Sequence, residues 1–353
     1  MRLLITIAHY FKTESGPDWH HVVGSGRAPL AKIAALNSQI VALHRYFGPR
    51  RLARDARAAS VDVAEANTLD IVVMTVRGAN VLDHIGIDPS EYAVEYFDGP
   101  PLMLAFEAQR IMRERAGAYD FYGYMEDDLS VTDPAFFDKL GWFAAQFGPD
   151  KMLVPARYEM SHTGTLAKLT IEPRLSGDTV KALRRTGLPP TLSGRWNGKE
   201  QSFHLPNNPH GGCYFLTDAQ LKHWMAQPSF YDRDASWVDP LVSAATYAPG
   251  RVFGLYRPGE PDPWFLEIEH FGTFYASMAA QPRQTFGEPP ILALAENAMR
   301  QGGAGDAQPS GTINTVMAEA LNMRHELESL KRSRTRLAKA FLVASWKKLS
   351  GQG

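Results

Sequence analysis

Cysteine is nearly absent: Cys213 stands alone in 353 residues, which excludes an internal disulfide framework and any zinc site built from several thiolates. Excess charge of either sign is missing too. Lys and Arg total 37 against 38 acidic residues, a formal charge of −1, so no global field draws the chain to nucleic acid, and a charged function must be local. No run is long and apolar enough to span a bilayer. The opening segment Arg2 to Tyr10 is short, carries Thr6 and His9, and lacks a small-residue cleavage pattern, so no signal peptide is expected. No Asn-x-Ser/Thr sequon, Gly-x-Ser-x-Gly elbow or His-Glu-x-x-His occurs, which argues against N-glycosylation, a serine hydrolase and a zinc protease. The expected location is cytoplasmic and reducing, with a peripheral position at the inner face of a membrane left open.

What is present is apolar patterning of two periods. Leu3 to Ala8 and Asp70 to Val76 are short, nearly continuous apolar runs, as in strands buried on both faces. Tyr92 to Phe97, Tyr119 to Met125, Lys151 to Tyr158, Gly211 to Leu216 and Arg251 to Tyr256 read as further strands. Between them, Leu30 to Phe47, Leu102 to Arg115, Thr132 to Phe147, Thr217 to Gln227 and Ser236 to Tyr247 carry helical spacing or helix-start signals. Strands alternating with helices predict an α/β fold, a mostly parallel sheet covered by helices on both faces. That domain is expected over 1–280. A Pro-, Gly- and Gln-rich linker follows over 281–311, then an amphipathic or coiled-coil helix over 312–350. Its basic, aromatic later part suits self-association, docking or an anionic membrane surface.

Ligands of open α/β sheets bind beyond the carboxyl ends of the strands. The residues there are His9 and Tyr10, Arg77, and Glu126-Asp127-Asp128. Three consecutive carboxylates against an apolar strand repel one another and lose hydration unless a cation or basic partner compensates. A hard divalent cation such as Mg2+ or Mn2+ does so, held by one or two carboxylates with substrate phosphates and water. Strand alternation sends Glu126 and Asp128 to one side and Asp127 to the other. The alternative is a turn that merely leads into the helix after Thr132.

An apolar strand ending in an acidic triplet, followed in order by His210-Gly211-Gly212-Cys213-Tyr214, Ser236-Trp237-Val238-Asp239 and Glu269-His270-Phe271, resembles the GT-A family of nucleotide-sugar-dependent glycosyltransferases. The resemblance covers roughly residues 1 to 275, with Glu126 where the first Asp of the family's Asp-x-Asp motif stands and Val238 where a second acid would precede Asp239. It implies a metal held by Asp128, His270 and Glu126, and a nucleotide-sugar donor touched by Glu126, Gly211 and Gly212; His9, Tyr10, Arg77 and Asp127, from their places at the strand ends, are the further candidates for contact with that donor. It also implies Asp239 as catalytic base toward a glycan or glycoconjugate acceptor, and inversion at the anomeric carbon. For Asp239 the bland alternative is a helix cap before Pro240; for His270, a hydrogen-bonded strand-end histidine. His20, His21, His162, His204 and His210 read as polar loop residues, and Cys213 as a small buried side chain. Two other functions stay open: a nucleotidyltransferase, for which Gly24-Ser25-Gly26-Arg27 is a displaced phosphate loop, and a non-catalytic, transferase-like interaction protein.

Overall fold

The computed structural model describes residues 1–12, 29–53, 61–64, 67–160, 168–172, 175, 177–183 and 186–272. The expected linker, the terminal helix, His20, His21, His162 and Gly24-Ser25-Gly26-Arg27 lie outside them.

In chain order the strands are β1 (Arg2–Ala8), β2 (Arg50–Ala53), β3 (Val61–Ala64), β4 (Thr68–Thr75), β5 (Ala93–Tyr96), β6 (Phe121–Glu126), β7 (Leu129–Ser130) and β8 (Lys151–Leu153). They continue as β9 (Ala156–Met160), β10 (Lys168–Thr170), β11 (Thr191–Trp196), β12 (Lys199–His204), β13 (Cys213–Thr217), β14 (Gly254–Pro258) and β15 (Glu267–His270). The main helices are α1 (Pro29–Phe47), α2 (Glu107–Glu114), α3 (Phe136–Phe147), α4 (Gly177–Lys181) and α5 (Asp218–Met225).

The central sheet has the order β13-β6-β1-β4-β5. β1 pairs in parallel with both β4 and β6, and β5 continues that direction, while β13 runs antiparallel to β6. Alternation along β1 divides the core. Leu3, Ile5 and Ile7 pack with Ile33, Leu36 and Leu43 of α1 and with Phe136 and Phe137 of α3. Leu4 and Ala8 pack on the other face with Ile111 and Met112 of α2 and Leu221 and Trp224 of α5. The sheet therefore has helices on both faces, as the two periodicities require.

Local differences from the sequence pattern have identifiable causes. The expected strand Lys151 to Tyr158 is two strands, β8 and β9, which join different sheets. Pro155 sits at the break, where it has no N–H for a ladder. The expected helix Ser236 to Tyr247 starts only at Pro240, after Val238 at φ +58°, and passes through a π-type turn over Ser243–Tyr247. The helix expected from Leu102 opens as a 3-10 segment, Pro101–Phe106, before α2 begins. The segment from 161 to 209, weakly patterned in sequence, contributes β10, α4 and the β11–β12 hairpin.

Two smaller sheets build the wall beside the carboxyl end of β6. β7, immediately after the acidic triplet, pairs antiparallel with β15, which pairs in parallel with β9. β12 and β8 both pair with β14. Chain reversal at the triplet thus brings residue 270 onto residue 129.

Candidate active site at the carboxyl end of β6

Strand order reverses at β1: the chain goes from β1 outward to β4 and β5, then returns to place β6 on the other side. Such a switch point opens a crevice between the carboxyl ends of the two central strands. His9 leaves β1 there and Glu126-Asp127-Asp128 leaves β6. All four side chains are buried.

Asp127 faces α1. One carboxylate oxygen pairs with the Lys32 ammonium, and the other lies 2.6 Å from His9 Nδ1. The Val81 amide donates to His9 Nε2 at 3.0 Å, so Nε2 is the acceptor nitrogen and Nδ1 carries the proton donated to Asp127. Burial raises the Asp127 pKa, but Lys32 and the His9 hydrogen bond outweigh it and hold the carboxyl below its usual range. Gln39, two turns further along α1, donates to the Glu126 carbonyl at 2.8 Å. Lys32 and Gln39 stand seven residues apart on one stripe of α1 and fasten the triplet from behind.

Glu126 and Asp128 face the other way, toward β9, β15 and the loop before β13. Asp128 Oδ2 is 3.5 Å from His270 Nε2, and His270 Nδ1 is 2.9 Å from Glu159 Oε1. Burial lowers the His270 pKa, yet the charge of Asp128 and the two carboxylate hydrogen bonds win and raise it. The Phe271 amide donates to the Asp128 carbonyl at 2.7 Å, which fixes the strand end against the triplet.

Glu126 Oε2 lies 3.6 Å from Arg157 Nη1, and Arg157 Nε donates to Glu172 Oε1 at 2.8 Å. Burial is the largest influence on Glu126, partly offset by Arg157 and reinforced by Asp128, and its pKa is pushed up to about 7. Its Oε1 is buried with no hydrogen-bond partner among the described residues. Gly212, at φ +64°, is the reason Glu126 fits: a Cβ there would stand 2.6 Å from Glu126 Oε2. The neighbouring Gly211 leaves room for Val154 in the same way, at 3.1 Å. His210, just before the pair, has its Nδ1 2.9 Å from Thr246 Oγ1, and its carbonyl accepts from Arg257 Nη2 at 2.8 Å. Burial, then Arg157 and Arg257, push the His210 pKa well below the usual imidazole range.

The remaining sequence candidates sit elsewhere. Tyr10 is buried in the apolar cluster under α2, where burial raises its hydroxyl pKa. Arg77 is exposed, with its guanidinium 4.0 Å from the centre of the Tyr96 ring. Asp239 is the N-cap of the Pro240 turn, accepting from the Val242 amide at 2.8 Å. It lies seven residues, about 10 Å of helix, before the Thr246 that touches His210. Cys213 is buried, and burial raises its thiol pKa.

Several residues of the site carried no motif, among them Lys32, Arg157, Glu159 and Arg257. Signals existed for three of them. Lys32 interrupts the apolar stripe of α1, and Arg157 and Glu159 alternate on one face of a strand otherwise suited to burial. A charge at a core position is the informative kind of exception.

The donor chemistry suits a hard cation. Among the described residues, four buried carboxylates, Glu126, Asp128, Glu159 and Glu172, lie near two guanidinium groups and two imidazoles. The Glu159–His270 contact has the form of the carboxylate–histidine pair that orients metal ligands. Among the described residues, however, no three His, Cys, Asp or Glu side chains converge in a metal-holding group. Asp128 and His270 converge, and Glu126 turns toward Arg157 instead.

No protein-family model and no curated protein matches the chain. Among solved structures it is similar to CMP:2-keto-3-deoxy-manno-octonic acid synthetase complexed with CTP, at 10% identity over 86% of this chain and 100% of that chain, with a TM-score of 0.30. A likeness at that score carries no inference about activity. Among the described residues, no helix is long and apolar enough to cross a membrane.

Proposed function

We propose that the chain is a divalent-metal-assisted glycosyltransferase that moves a sugar from a nucleoside diphosphate to an acceptor hydroxyl. The observation that carries this reading is the Asp128–His270 pair, 3.5 Å apart at the switch point of the sheet, with Glu159 behind the imidazole. Asp128 and His270 would hold Mg2+ or Mn2+, leaving the other positions to donor phosphates and water, the usual arrangement for a hard cation at a phosphate site. Bound there, such a cation would stabilise the charge that develops on the departing diphosphate.

The protein's own groups have separable tasks in this reading. Glu159 accepts the Nδ1 proton of His270 and so leaves Nε2 toward Asp128 and the donor. Glu126, with one buried oxygen unpartnered among the described residues, takes a ribose hydroxyl or a metal-bound water. Asp127 touches no ligand; through His9 and Lys32 it holds the strand end rigid, as a site of this kind requires. Asp239 removes the acceptor proton as attack develops, and a base acting on the acceptor implies inversion.

The test is a thermal-shift screen of wild type and Asp128→Ala against nucleoside diphosphate sugars with Mn2+ or Mg2+, followed by product analysis. A metal-dependent shift lost in Asp128→Ala, with release of nucleoside diphosphate, supports the proposal. A full shift in the variant removes Asp128 from the site. Pyrophosphate release from a nucleoside triphosphate and a free sugar would establish nucleotidyl transfer instead, and binding without any turnover would leave an interaction protein.

A further inference from the structure

A cavity of about 470 Å³ lies beside the charged site, lined by Val180, Leu183, Leu188, Leu205, Leu255 and Asn207 together with Pro190, Pro206 and Pro209. That volume falls within the roughly 300–1,000 Å³ of small-molecule sites. Among the described residues, its lining side chains are aliphatic apart from one amide. The Asn207 Oδ1 already accepts from the Leu175 amide at 2.7 Å. The described lining side chains offer a sugar few hydrogen bonds in return for its lost hydration, which is costly. An aliphatic group pays no such cost.

The cavity adjoins the proposed chemistry on two sides. Leu255 and Arg257 are alternate residues of β14, about 7 Å apart on one face; the first lines the cavity and the second holds the His210 carbonyl. Pro209 lines it as well, directly before His210. On the other side, Val180 belongs to α4, where the adjacent Thr179 carbonyl accepts from Trp237 Nε1 at 3.0 Å. Trp237 stands two residues before Asp239.

We infer that this cavity receives the aliphatic portion of the acceptor, so that the transferred sugar goes to a hydroxyl carried on an alkyl or isoprenoid chain. The inference rests on the glycosyl-transfer reading for the word acceptor, but the occupancy of the cavity is testable without it. Leu205 is 36% exposed, so Leu205→Trp can fill the cavity without rebuilding the core, and Leu205→Gln makes its wall polar at similar size.

The experiment measures binding of a 1-alkanol series, from butanol to octanol, to wild type and both variants by ligand-observed NMR. In wild type the affinity should rise about fourfold per added methylene, the gain expected when each enters an apolar site. Both variants should flatten that rise while keeping the wild-type melting temperature. A flat series in wild type, or the same rise in all three proteins, overturns the assignment. In parallel, metal-dependent binding of a nucleoside diphosphate sugar is read in the same variants. Loss of the alkanol series with donor binding intact separates the cavity from the donor site. Alkanol binding in a protein that never binds a donor counts against the transferase reading and the acceptor assignment, while leaving an aliphatic pocket.

Discussion

One tripeptide supplies two unlike regions. On the α1 side of the sheet end, both oxygens of Asp127 are taken by Lys32 and His9, and His9 is in turn fixed by the Val81 amide. On the other side, Glu126 keeps a buried oxygen without a partner among the described residues, and Asp128 shares His270 with Glu159. The side chains point apart because Glu126 ends β6 while Asp127 and Asp128 form the turn into β7. A satisfied buried network gives rigidity. Carboxylates gathered around an imidazole are the donor set that a hard cation would use. The first region therefore reads as a support and the second as the place of chemistry.

The largest expected effect breaks the support. Asp127→Ala strands the buried Lys32 ammonium and should cost about 3–5 kcal/mol, the usual penalty for removing one partner of a buried ion pair. Urea denaturation measures it. Asp128→Ala removes repulsion from Glu126 together with a partner of His270, so it should cost less than Asp127→Ala while losing metal-dependent stabilisation. Equal destabilisation by the two variants would erase the distinction between the regions.

Next comes the strain on Glu126. Its folded pKa, pushed up to about 7, lies above the ordinary value of 4.5, so the native state holds the proton more tightly than the unfolded chain. Stability contributed by this group is therefore present below pH 4.5 and falls as pH rises toward 7. Glu126→Gln should then be more stable than wild type at pH 8, by up to about 3 kcal/mol at 1.36 kcal/mol per pKa unit. The gain should vanish near pH 4. Denaturation midpoints across that range decide it, and a pH-independent difference would mean that Glu126 is not strained.

A smaller effect concerns His270. Its raised pKa means that a proton competes with the proposed cation for the ring up to a higher pH than at an ordinary imidazole. Below that pKa, Mn2+ affinity should fall about tenfold per pH unit, because one proton must leave for each metal bound. Metal titrations at several pH values give the slope, and a slope near zero would dissociate the histidine from the metal.

The smallest expected change in stability is at Asp239. Asn caps helices about as well as Asp, so Asp239→Asn should leave folding within a few tenths of a kcal/mol and leave donor binding intact, while suppressing transfer. Unchanged turnover would reduce Asp239 to a cap, the role its hydrogen bond to Val242 already shows.

Much of this was legible in order along the chain. Periodicity located β1, α1, β4 and β6, because those segments are buried continuously or on one stripe, and burial is what apolar spacing reports. The triplet stood out as charge placed against an apolar strand. Less legible were the break at Pro155 and the interrupted helix after Asp239, where a proline and a left-handed Val238 override periodicity. Least legible was which basic group answers which acid.

By itself the sequence determined an α/β domain, an acidic strand end and a short supply of cysteine, all of which follow from local pattern and composition. Only the tertiary structure decided that Asp127 belongs to Lys32 and His9, that Asp128 belongs to His270, and that a cavity lies two residues along β14 from Arg257, the partner of the His210 carbonyl. Those pairings join residues far apart in the chain, and their partners are selected by sheet order and strand register, which local propensity does not encode.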